Sequence, residues 1–162
     1  MALLPPWKLS AERKRKLLIY LEIAALAFGF TWAVAYPFLT PYPLVDLKIL
    51  MRAGSGIDIS KFYYAPWILP FFGFLSYLPV SVAGALANLL SMLGFLFAIR
   101  IFKGNRILFF VSYPLFYTIY YGQVDGIYAF ALAWMYLALQ RRDPLQASLA
   151  WLLALSKWYI GG

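Results

Sequence analysis

Twenty residues from Leu17 to Tyr36 carry a single charge, Glu22, and follow directly on Arg13-Lys14-Arg15-Lys16. As a helix the run reaches roughly 30 Å, which matches the hydrocarbon thickness of a bilayer. A basic block before an apolar run also describes a secretory signal, and Ala33-Val34-Ala35 has the small-residue pattern of a cleavage site. The apolar run is longer than a signal sequence needs, so an uncleaved anchor is the expectation. Composition points the same way. The 162 residues are 64% hydrophobic and 12% charged, against about 45–50% and 25% in soluble domains. Such a chain has too few polar residues to cover a water-facing surface.

Val80–Ile99 forms a second clear span and ends at Arg100 and Lys103. Three shorter apolar runs follow, Ile107–Tyr121, Val124–Gln140 and Leu145–Ile160, each reaching roughly 22–26 Å as helix. These are marginal crossings that suit tilted helices in a protein-rich bundle or a re-entrant segment. The resulting expectation is an all-α, polytopic membrane helix bundle in a single domain. It has a cytoplasmic tail 1–16 and spans near 17–36, 80–102, 107–121, 124–140 and 145–160. An outer loop covers 37–65, and an interfacial or re-entrant segment covers 66–79, where Pro66, Pro70 and Pro79 break the apolar run. If each run crosses once, Arg13–Lys16, Arg100-Lys103-Arg106 and Arg141-Arg142 all fall on one side. The positive-inside rule makes that side cytoplasmic. The net charge of +8 is then topogenic and faces membrane lipids, and nucleic acid is not expected as a partner.

The opposite side gathers Tyr36, Tyr42, Phe62, Tyr63, Tyr64, Trp67, Tyr117, Tyr120, Tyr121, Trp158 and Tyr159. An interfacial aromatic belt accounts for most of them. The Phe62–Trp67 group, with Tyr64 and Trp67, has a second reading as the wall of a lipid- or sugar-contacting cleft. Val45–Ala53 reads as a short helix with Gly54 as its stop.

Carboxylates are few enough to weigh singly. Glu12 and Asp143 lie among basic residues and are expected to pair there, and Glu22 with the Arg13–Lys16 block. Asp125, in Gly122-Gln123-Val124-Asp125-Gly126, reads either as a capping residue in a tight turn or as part of a site. Asp58 follows a glycine turn and reads as a cap for the next segment. Asp46 precedes an apolar helical stretch and reads as an N-terminal cap or as a general base at the water–lipid boundary. Lys157 breaks the positive-inside pattern near the outer end of the last run. It reads as a snorkelling lysine or as the seat of an anionic partner such as a lipid phosphate. With no cysteine and no histidine, thiolate chemistry and sulfur or imidazole metal sites are excluded. No cofactor is expected, and a divalent cation is compatible only through oxygen ligands.

Asp46-Leu47-Lys48-Ile49-Leu50, Ala53-Gly54 and Tyr63-Tyr64-Ala65-Pro66-Trp67 resemble, in that order, the first outer loop of polytopic GT-C glycosyltransferases. The likeness is greatest to family 87, the polyprenol-phosphate-mannose-dependent mannosyltransferases. Tyr121-Gly122-Gln123 resembles the family's Asn-Gly-Gln turn. Arg141-Arg142-Asp143-Pro144 and Leu155-Ser156-Lys157 resemble its basic turn and its Leu-Lys-Pro segment, with Trp158 where the family has proline. The likeness covers the N-terminal half of that architecture, which continues through further spans. The resemblance implies an inverting transfer of a sugar, mannose in the family, from a polyprenyl-phosphate donor at the outer membrane face. It implies Asp46 as the base, Lys157 as the phosphate holder, and Gln123 and Asp125 as cleft residues. Two other classes compete. One is a non-catalytic subunit packing against other membrane chains through Gly73, Gly84, Gly94 and alanine-rich faces. The other is a transporter or channel, which the absence of an ionisable residue at mid-span disfavours.

Overall fold

A computed structural model describes residues 10–40, 44–57, 59 and 64–157. Every regular element among them is helical: α1 Ala11–Leu39, α2 Val45–Gly54, a 3-10 turn Pro66–Ile68, α3 Leu69–Leu75, α4 Val80–Ile101, α5 Arg106–Phe110, α6 Tyr113–Tyr121, α7 Asp125–Gln140 and α8 Pro144–Leu155. Two of these helices, α1 and α4, are long and apolar enough to cross a membrane.

The first helix begins earlier and ends later than its apolar run. The Ser10 side chain accepts from the Arg13 backbone N–H at 3.4 Å, an N-cap that draws the basic block into the helix. Glu12 pairs with Lys16 one turn on. At the other end α1 continues through Pro37 to Leu39. The loop expected at 37–65 therefore starts at Thr40, not Pro37, and it contains all of α2. Proline has no N–H to return to the carbonyl four residues back. Here the Ala33 carbonyl accepts instead from Nδ2 of Asn88 on α4, at 3.0 Å. Asn88 is fully buried, so one interhelical hydrogen bond replaces the one that Pro37 deletes. Asn88→Ala is expected to cost about 1–2 kcal/mol. In a Pro37→Ala background, where the helix can satisfy its own carbonyl, the same change should cost less. Equal losses of thermal stability in both backgrounds would contradict this account.

Contacts fix the direction of each pass. Pro37 lies at Gly84, Gly29 at Met92 and Phe110, and Glu22 at Arg106, so α4 runs antiparallel to α1. The α5–α6 segment returns along α1, with Phe110 against Phe30 at 6.3 Å and Tyr120 against Tyr36 at 6.0 Å. Then α7 descends parallel to α4, pairing Phe97 with Phe130 at 5.0 Å and Phe102 with Tyr136 at 5.5 Å. Finally α8 turns back along α7, where Trp134 Nε1 donates to Gln146 Oε1 at 3.0 Å.

The run 107–121 is not one helix. It breaks at Val111-Ser112, and Pro114 enters in the first turn of α6, where its missing N–H costs nothing. The segment 66–79 likewise divides into the 3-10 turn and α3, followed by a turn into α4. One core cluster joins α2, α3, α4 and α7 through Leu47, Leu50, Phe72, Ala87 and Val124. Another joins α1, α4 and α5–α6 through Ala33, Met92, Phe110 and Ile119. Two crossings bring backbones into contact. A Cβ on Gly54 would lie 2.3 Å from the Gly73 nitrogen, and one on Gly126 would lie 1.8 Å from the Ser91 carbonyl oxygen. Among the described residues much of α1 is left uncovered: only 11% of its most apolar stretch is buried, and Leu17, Leu18, Leu21, Ile23 and Phe28 are exposed.

The passes sort the charges by end. Arg13–Lys16, Arg100, Lys103, Arg106, Arg141 and Arg142 lie at one end of the bundle, and Asp46, Lys48, Arg52, Asp125 and Lys157, with the neutral Gln123, at the other. Glu22 reaches Arg106 and not the Arg13–Lys16 block. Asp143 caps α8, accepting from the Gln146 N–H at 3.0 Å and from its side-chain amide at 2.8 Å, instead of pairing with an arginine. Asp58 lies outside the described residues, as do Tyr42, Phe62, Tyr63, Trp158 and Tyr159.

Candidate functional site

The site at the far end is assembled from four helix termini, the starts of α2 and α7 and the ends of α6 and α8. The chain enters α2 through Leu44, whose backbone is left-handed at φ 70°. That conformation costs a residue with a Cβ roughly 1–2 kcal/mol. It is held because the Leu44 N–H donates to the Tyr120 carbonyl at 3.0 Å and the side chain is buried against Gly84 and Gly122. Gly122 closes α6 at φ 68°. A Cβ there would lie 2.9 Å from the Leu47 Cβ, so both the backbone and the space require glycine. These two turns lock the start of α2 onto the end of α6.

Asp46 therefore meets Gln123 across 77 residues of sequence. The Gln123 amide Nε2 donates to Asp46 Oδ2 at 2.8 Å. The Gln123 backbone is itself fixed, with its N–H on the Thr118 carbonyl at 2.9 Å and its carbonyl accepting from Ser91 Oγ at 3.3 Å. Asp46 is not an N-cap, because Leu44 holds that position and no side chain caps α2. One carboxylate oxygen is oriented by Gln123, and Oδ1 has no partner among the described hydrogen bonds.

Asp125 is not a cap either. Val124 occupies the cap position of α7 without a side-chain bond, and Asp125 pairs with Lys157. The two side chains retain 21% and 30% exposure for Lys157 and Asp125 respectively. Lys157 also lies over the Tyr128 ring, 5.7 Å from its centroid, and Tyr128 stacks on Tyr64 at 6.3 Å. The loop before α3 is tied to the same place, since the Ala65 N–H donates to the Ser156 carbonyl at 2.8 Å. Removing either partner of the half-buried pair strands the other charge. Asp125→Asn and Lys157→Gln should each lower stability. In a double-mutant cycle by thermal melting, the double variant should lose less than the sum, by about 1–2 kcal/mol. Strict additivity would show that the two groups do not interact.

The structure thus brings Asp46, Gln123, Asp125, Lys157 and Tyr64 into one linked set. It leaves Trp67 out, 56% exposed on the 3-10 turn. Lys157 is engaged by a carboxylate, so an incoming anion would compete with Asp125 for it. Tyr128 escaped the sequence reading, although its i+3 spacing from Asp125 on one helix face was available as a signal. Gln123 and Asp125, with Thr118, also form the polar wall of a cleft of about 440 Å³, otherwise lined by Phe95, Phe109, Tyr113, Pro114 and Tyr117. Among the described residues no group of three carboxylates gathers to hold a metal ion.

Among the described residues, fold and site together define an all-helical arrangement with two candidate membrane-spanning helices, a basic end, and a cluster of Asp46, Gln123, Asp125 and Lys157 at the other end. No family model, curated protein or solved structure matches it.

Proposed function

We propose that this chain is a multi-pass membrane protein of the GT-C glycosyltransferase type, or its N-terminal module. It would transfer a sugar, mannose by the family resemblance, from a polyprenyl-phosphate carrier at the outer membrane face. The observation that carries the reading is the hydrogen bond from Gln123 to Asp46, which orients a carboxylate. Gln123 in turn lines the apolar cleft together with Asp125, the partner of Lys157, while Asp46 and Lys157 are not among the cleft's lining residues. The exposed apolar surface of α1 and the gathering of the basic clusters at one end support a lipid setting with that end cytoplasmic. The shorter helices α7 and α8 would then cross tilted or in company.

In the proposed reaction Asp46 Oδ1 accepts the proton of the acceptor hydroxyl as that oxygen attacks the anomeric carbon. The bond from the anomeric carbon to the carrier phosphate breaks on the opposite face, and polyprenyl phosphate leaves with the electron pair. Lys157 would meet the charge that develops on the leaving phosphate, exchanging Asp125 for it. The apolar cleft wall suits an isoprenoid tail.

The test is direct. The full chain, purified into liposomes and supplied with polyprenyl-phosphate mannose and a hydroxyl-bearing lipid acceptor, should produce mannosylated acceptor above a protein-free control. Lys157→Gln should then slow turnover by about 10²–10³-fold, the loss of one charge-stabilising donor. Absence of transfer from every polyprenyl-phosphate sugar offered would favour the second reading, a non-catalytic subunit. That reading is supported by the open apolar face of α1, and it requires a membrane partner that co-purifies with the chain.

A further inference from the structure

At the basic end, opposite the proposed site, α1, the end of α4 and the start of α5 enclose a cleft of about 510 Å³. Its polar wall is Arg100, Lys103, Asn105 and Arg106, with Glu22 the sole acidic residue among those lining it. Glu22 is engaged by Arg106, and Asn105 caps α5 through the Leu108 N–H at 3.0 Å. Arg100 and Lys103 have no carboxylate partner among the described residues. The remaining wall is aliphatic, formed by Leu18, Ile99 and Ile107.

Three cations against one carboxylate leave this cleft an excess of two positive charges. Lys103 also holds a left-handed backbone at φ 55°, a conformation glycine adopts without strain, and Gly104 stands next to it in the chain. The Gly104 N–H closes the turn on the Ile99 carbonyl at 2.9 Å. The C-terminal dipole of α4 favours a cation here, and a topogenic charge requires a cation on this side. Neither effect requires the cations to line a concavity with an aliphatic wall. That combination matches one molecule with a phosphate at one end and hydrocarbon at the other.

We infer that the α1–α4–α5 cleft holds the phosphate headgroup of an anionic phospholipid. Arg100 and Lys103 contact the phosphate. Arg106 is oriented toward it by Glu22, and the upper acyl segments run along Leu18, Ile99 and Ile107 onto the open face of α1. A free phosphate shares the headgroup chemistry but leaves the aliphatic wall unused. The inference rests on the membrane reading and is independent of sugar transfer. A chain without transferase activity would still bind the lipid.

The experiment uses the full chain, delipidated in detergent and titrated with phosphatidylglycerol, phosphatidylcholine or inorganic phosphate. Phosphatidylglycerol should raise Tm by roughly 5–10 °C at saturation and leave one lipid bound in native mass spectrometry. Phosphatidylcholine and millimolar inorganic phosphate should do neither. Arg100→Gln/Lys103→Gln should lose both effects, and Arg141→Gln/Arg142→Gln, at the same end but outside the cleft, should keep them. Lys103→Gly provides a second variant that removes the cation while relieving the left-handed backbone, and it should weaken the lipid effect several-fold. Equal phosphatidylglycerol shifts in the wild type and the Arg100→Gln/Lys103→Gln variant would overturn the inference in favour of non-specific lipid contact. A full shift with inorganic phosphate would overturn it in favour of a free-anion site.

Discussion

Asp46→Asn is expected to lower sugar transfer by about 10²–10⁴-fold, the range for loss of a general base, with little change in stability. Asparagine has the same shape as aspartate, and its carbonyl can still accept from Gln123 Nε2, the bond that now measures 2.8 Å. The start of α2 does not depend on the side chain, because Leu44 and not Asp46 occupies the cap. Proton acceptance is therefore what the substitution removes. The decisive measurements are the rate of transfer under saturating donor and the Tm of the same preparation. Gln123→Ala is the companion variant. It keeps the base but removes the donor that orients it, so its loss should be smaller and should fall on kcat more than on KM. Equal transfer by wild type and Asp46→Asn would remove Asp46 from the mechanism. A parallel collapse of Tm would make Asp46 a structural residue.

Local signals were legible in the sequence, and pairings across the chain were not. The span of α2 was readable because Gly54 punctuates a short amphipathic stretch, and the apolar cores of α1 and α4 were readable from length alone. The two ends of α1 were missed for different reasons. Ser10 extends the start through a cap outside the apolar run, and Pro37 was placed in the loop. In the structure its lost hydrogen bond is replaced by Asn88, 55 residues further on, a compensation no local pattern encodes. The break at Val111-Ser112 follows from Pro114, which was in plain view but outweighed by continuous hydropathy. At the site, Asp46, Asp125 and Lys157 were singled out because charges are scarce in this chain. Of the two readings open for Asp46 and Asp125, capping fails: it is a local inference, whereas the bonds to Gln123 and Lys157 depend on α2, the α6–α7 turn and the end of α8 converging. Glu22 shows the same effect, passing over the basic block beside it for Arg106, 84 residues away.

Gly126→Ala should be the most damaging single-methyl change in the described chain, at about 3 kcal/mol, which corresponds to a fall in Tm of roughly 6–12 °C. The added Cβ would lie 1.8 Å from the Ser91 oxygen and 2.3 Å from its carbon. Both are backbone atoms, so no rotamer change relieves the clash and α7 must move away from α4. The contact is reciprocal, since a Cβ on Gly94 would lie 2.0 Å from the Gly126 oxygen. Small residues let helix backbones approach this closely, and in the proposed membrane setting such packing would hold the two helices together. Displacing the first turn of α7 also shifts Asp125 against Lys157 and loosens the Ser91 bond to the Gln123 carbonyl. The proposed site should therefore lose activity even at temperatures where the variant stays folded. Gly104→Ala is the control, because its added methyl meets nothing closer than Ile99 at 3.4 Å. It should change Tm by no more than a degree or two, on the order of 0.5 kcal/mol. If Gly126→Ala melts with Gly104→Ala, α4 and α7 do not touch at this crossing, and the scaffold that brings Gln123 to Asp46 is other than described.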